Sequence, residues 1–98
     1  MGKNLNQKKD YYWLKCEVSE GMFADREYAV ETQTIRGNPV SMFVPIEYVR
    51  KDDSLVSVEV LEKRVNSILI LLPSEPLQGY SPSKIIEVSP KEIVSYTI

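Results

Sequence analysis

From Tyr11 onward, apolar side chains recur at every second position, and no stretch holds a 3.6-residue apolar period beyond one or two turns. A period of two puts alternate side chains on opposite faces of an extended chain, so this sequence is committed to strands. In 11–18, Tyr12, Leu14, Cys16 and Val18 share one side while Trp13, Lys15 and Glu17 take the other. A second strand is expected over 26–35, where Tyr28, Val30, Thr32 and Thr34 alternate with Ala29, Glu31, Gln33 and Ile35. Arg36-Gly37-Asn38-Pro39 is a turn signal, and 40–44 reads as the returning strand. Pro45 starts a helical turn more readily than it continues a ladder.

The second half follows the same grammar. Val56, Val58 and Val60 share a face within 55–62, and Lys63-Arg64-Val65-Asn66 turns the chain. The stretch 67–72 is the most apolar and is expected to be covered on both faces. Three prolines and a glycine make 73–83 a loop, after which 84–88 resumes a strand. Ser89-Pro90-Lys91-Glu92 forms a second short helical turn, and 93–98 closes with a strand. The reading is an all-β chain: a small, mainly antiparallel barrel or compact sandwich of six or seven strands with one or two short helical turns. The alternative is an α+β fold with a true helix over 45–53. A polar, mobile arm is expected over 1–10, and a single β domain over 11–98.

Composition narrows the chemistry. The 98 residues include no histidine and one cysteine, Cys16. That removes the usual proton shuttle at neutral pH, the commonest transition-metal ligand and any Ser-His or Cys-His nucleophile pair. Cys16 shares its face with Leu14 and Val18 and reads as a small buried hydrophobe. No window supplies a phosphate loop, a calcium loop or a hydrolase elbow, so no cofactor, metal or catalytic residue is expected. From Asp10 onward there are nine Lys or Arg against fourteen Asp or Glu, a balance of −5 within an overall −2. Phosphate neutralisation dominates nucleic-acid affinity, so this balance argues against nucleic acid. The apolar runs are far shorter than the roughly 20 residues that cross a bilayer, and the start lacks a secretory pattern. A soluble, cytoplasmic protein without a membrane partner is expected.

Two local patterns bear on architecture. Pro45-x-Glu47-x-Val49 recurs 45 residues later as Pro90-x-Glu92-x-Val94, and each half can be read as three strands followed by this turn. Three matching positions are also what convergent turn chemistry gives, since proline followed by an acid is a general helix-start signal. The segment Phe43-Val44-Pro45-Ile46-Glu47-Tyr48-Val49 resembles the closing segment of SH3 domains. There an apolar residue, a proline, two variable residues, a tyrosine and a valine form the last strand and its short helical turn. The resemblance covers seven residues and implies a small, strongly bent β-barrel. Binding of proline-rich peptides is not implied. The acidic, tyrosine-containing opening strand and acidic loop of that family are missing, and almost half of the chain follows the segment.

Aromatic placement supplies the functional expectation. Tyr11-Tyr12-Trp13 are consecutive, which points Trp13 away from Leu14 and Cys16, and Met22-Phe23 fall in an expected loop. Exposed Trp, Met and Phe are typical anchors for protein partners, whereas large aromatics are also common core plugs. Trp13, Met22 and Phe23 are therefore the candidate partner-binding residues of a non-enzymatic protein-interaction or accessory module. A homodimer through strand edges is a further option, and the alternative function is a nucleic-acid-binding small β-barrel.

Overall fold

The computed structural model describes residues 11–21, 23, 25–77 and 83–94. The arm expected over 1–10, Met22 and the end of the strand expected over 93–98 lie outside the described residues. Nine strands run in chain order: β1 (Tyr11–Lys15), β2 (Glu17–Glu20), β3 (Glu27–Gln33), β4 (Pro39–Pro45), β5 (Val49–Arg50), β6 (Leu55–Lys63), β7 (Ile68–Leu71), β8 (Ile85–Val88) and β9 (Ile93–Val94). Short 3₁₀ turns occupy Ile46–Tyr48, Lys51–Asp53 and Pro90–Glu92. Short helical turns occupy this stretch as expected, and the alternative of a true helix over 45–53 does not hold: two of these turns are separated by β5. Val49 and Arg50 are drawn into antiparallel pairing with Val56 and Leu55, which breaks any helical continuation.

The strands form two antiparallel sheets. Sheet A runs β8-β7-β6-β1-β9, with β5 also on β6, and sheet B runs β2-β3-β4. The strand expected over 11–18 is divided at Cys16. Its first part pairs with β6 in sheet A, its second with β3 in sheet B, and the Cys16 N–H donates to the Ser54 carbonyl at 3.0 Å. This division and β5 account for nine strands among the described residues, where six or seven were expected. Ser54 takes a left-handed conformation (φ 57°) as it closes the second 3₁₀ turn and presents that carbonyl. Leu61 is the extra residue of a β-bulge in β6, where the register shifts between Val60 and Glu62.

Buried side chains from both sheets form one cluster: Leu14 from β1, Val30 from β3, Met42 and Val44 from β4, Val56 and Val58 from β6, Ile70 from β7 and Val88 from β8 are among them. Apart from Val60 and Ile68 at the margin, each member retains at most a few per cent of its surface. Cys16 is half-buried against this cluster. The alternation read from the sequence is thus the inside–outside alternation of the sheets.

The two halves of the chain repeat one topology. A long first strand (β1 with β2, or β6) leads to a second (β3 or β7), a third (β4 or β8), a 3₁₀ turn and a closing strand (β5 or β9). Each closing strand pairs with the other half's first strand, β5 with β6 and β9 with β1. The turns Ile46–Tyr48 and Pro90–Glu92 begin 44 residues apart. Trp13 pairs with Ser57, also 44 residues on.

Candidate docking face

Register assigns the paired outward residues of sheet A to rows that cross the strands. Arg50, Leu55 and Lys15 make one row across β5, β6 and β1. Ser57, Trp13 and Val94 form the next, and Tyr11, Glu59, Leu71 and Ile85 the one beyond. Glu62, Leu69 and Glu87 form the last. Apolar and aromatic groups therefore run across the outward face, opposite the core. Tyr11, Ile85 and the nearby Tyr48 and Ile35 are all large apolar side chains left exposed.

Two shallow depressions mark this face. One of about 180 Å³ is bounded by Tyr11, Tyr48, Ser57, Glu59, Leu71 and Lys84 among others. The second, about 280 Å³, lies where the β3–β4 turn approaches β7 and β8, with Ile35, Arg36, Leu69 and Ile85 in its walls. The Ile35 N–H donates to the Glu87 carbonyl at 2.8 Å and holds this turn against β8. The turn itself needs Gly37, whose φ of +88° lies in the left-handed region.

Trp13 sits half-buried in the centre of the face, with the Arg50 guanidinium 5.6 Å from its ring centroid. Ser57, between them on β6, is small enough for the arginine to reach across. Phe23 is 60% exposed in the β2–β3 loop, where its carbonyl accepts from the Arg26 and Glu27 N–H groups. It does not plug the core, and it belongs to sheet B's connection, so Trp13 and Phe23 do not share a site. Tyr48, Leu71, Ile85 and Ile35 were not singled out from the sequence. The available signal was the all-apolar stretch 67–72, expected to be covered on both faces. Ile68, Ile70 and Leu72 are buried on one face, and Leu69 and Leu71 are partly covered on the other, as expected.

The outward face of sheet B is different. Glu17 stands directly opposite Glu31, both exposed, and like charges so placed repel. A cleft of about 330 Å³ opens where β1 leaves for β2, bordered by Lys15, Cys16, Glu17, Glu31, Thr32 and Glu92 among others. Burial, then the neighbouring Glu17, push the Cys16 thiol up to about 12, so it is not a nucleophile at neutral pH. Among the described residues no acidic or thiol group gathers into a metal-holding set. None of the described helical segments is long and apolar enough to cross a membrane.

Sheet edges are partly closed. The outward-directed backbone of β4 belongs to Pro39, Ser41, Phe43 and Pro45; the prolines offer no N–H, and the Ser41 carbonyl already accepts from the Leu77 N–H at 2.8 Å. Comparison with protein-family models, with curated proteins and with solved structures finds no match for this chain.

Proposed function

We propose that this protein is a non-enzymatic interaction module whose two sheets form a compact sandwich and which docks a protein on the outward face of sheet A. The observation that carries the reading is β7. Every residue of Ile68-Leu69-Ile70-Leu71 is apolar; the chain buries the inward pair, Ile68 and Ile70, and covers the outward pair, Leu69 and Leu71, only in part. A strand apolar on both faces belongs in a sheet covered on both sides, and the second cover is a partner. The chain's acidic balance, −5 from Asp10 onward, favours a protein over a phosphate backbone. The proline-bounded edge of β4 favours face over edge docking. Phe23 stands apart from this face as an independent exposed group.

The test is site-specific photo-crosslinking in cells. A photoreactive residue at position 48 should yield a discrete protein adduct. The same residue at position 31, on the outward face of sheet B, should yield none. Equal labelling from both positions, or none from position 48, would refute the proposal.

A further inference from the structure

Resting on that docking face, we infer that its occupant is a second copy of this chain, packed face to face across a two-fold axis at the Trp13/Ser57 row. The argument is the distribution of charge along the strands. Arg50 is held by Asp53 at 3.3 Å and stacks over Trp13. Arg64 bridges Glu62 and Glu87, each at 3.3 Å. Lys15 and Glu59 have no ion pair among the described residues. Lys15 lies one row to one side of Trp13/Ser57, and Glu59 one row to the other.

A half-turn about an axis in that central row exchanges the two flanking rows. It brings Lys15 beside the partner's Glu59, and by symmetry Glu59 beside the partner's Lys15. The lateral offset is one strand spacing, about 4.8 Å, with facing sheets about 10 Å apart, which a lysine spans. Such an interface is isologous and self-complementary. A strongly acidic or strongly basic partner would instead meet one matching and one opposing charge. The central row is also favourable for close approach: Ser57 is small, and Trp13 meets its own counterpart, where two aromatic rings pack offset or edge to face.

Sedimentation velocity on the full chain tests this. The wild type should pass from monomer to dimer as its concentration is raised through roughly the micromolar to millimolar range. Lys15→Glu and Glu59→Lys should each weaken self-association by about tenfold or more, since each creates two like-charge contacts. An equimolar mixture of the two variants should regain the wild-type behaviour, because every cross-contact again joins opposite charges. Lys15 is exposed, so a melting curve matching the parent separates lost association from lost fold. A wild type that stays monomeric overturns the inference. A dimer that neither reversal weakens, or that the mixture does not restore, overturns it equally. A monomer whose position-48 adduct contains a different protein would defeat this inference alone and leave the docking face standing.

Discussion

Glu87 gathers polar contacts from Ser67 and Arg64. Ser67, a buried polar residue, donates its hydroxyl to Oε2 at 2.5 Å, and the Arg64 guanidinium approaches the same oxygen at 3.3 Å. The Ser67 hydrogen bond first, then Arg64 and the more distant Arg36, hold this carboxyl below its ordinary value of 4.5. A group whose folded-state pKa is depressed adds stability above its unfolded pKa and loses it as pH falls through the folded value. Glu87→Gln should therefore lower the melting temperature at pH 7, with the difference from the parent closing as pH is taken below 4.5. Thermal melts across that window check it; a gap unchanged at low pH would show that the charge is not the cause. For Cys16, a pKa of about 12 leaves almost no thiolate at pH 8. Alkylation should be slow in the folded protein and accelerate sharply in urea, as quenched time courses read by mass would show.

Within β7, neighbouring residues should respond in opposite ways. Ile70 is fully buried in the core cluster, so Ile70→Ala should cost roughly 2–5 kcal/mol from lost transfer energy and the cavity left behind. Leu71, on the outward face and half-buried, should cost much less as Leu71→Ser, about 1 kcal/mol or below. Urea titrations of the two variants give the comparison; equal losses would place a covering layer from this chain over Leu71. The inward half of β7 was legible because period two assigns a face to every residue. How far the outward half is covered was not, because apolar character marks a side chain for burial without fixing how much of it neighbouring strands cover. The break at Cys16 was hidden for a related reason. Tyr12, Leu14, Cys16 and Val18 keep one face throughout, while the change of sheet is set by different neighbours, β6 and then β3. Trp13 was found because outward phase and size coincide in one residue. Tyr48 was missed because it stands on a 3₁₀ turn, where alternation assigns no face.

Across the molecule, the duplicated topology explains what the sequence echo could not. Pro-x-Glu-x-Val recurs at 45 residues, but the turns recur at 44, so Pro45 precedes its turn whereas Pro90 is the first residue of its own. The proline echo is thus out of step with the repeat it accompanies, which supports convergent turn chemistry. What the halves share is pairing order, and pairing order leaves no fixed residue identities behind. It has a dynamic consequence. β6 has β1 along one side and β5 then β7 along the other, and its Val56 and Val58 are buried in the core. Strand β5 consists of two residues, β9 is described over Ile93–Val94, and with these two each half closes on the other. Local opening draws on segments with few buried contacts, while doubly flanked strands open only with the whole molecule. In native-state hydrogen exchange, the Val56 and Val58 amides should be among the slowest and should share one opening free energy, equal to that of global unfolding. Amides of Val49–Arg50 and Ile93–Val94 should exchange much faster, through separate low-energy openings. If both short strands exchanged only by global unfolding, they would be integral to the core and not detachable closures, and the two halves would have to unfold as one unit.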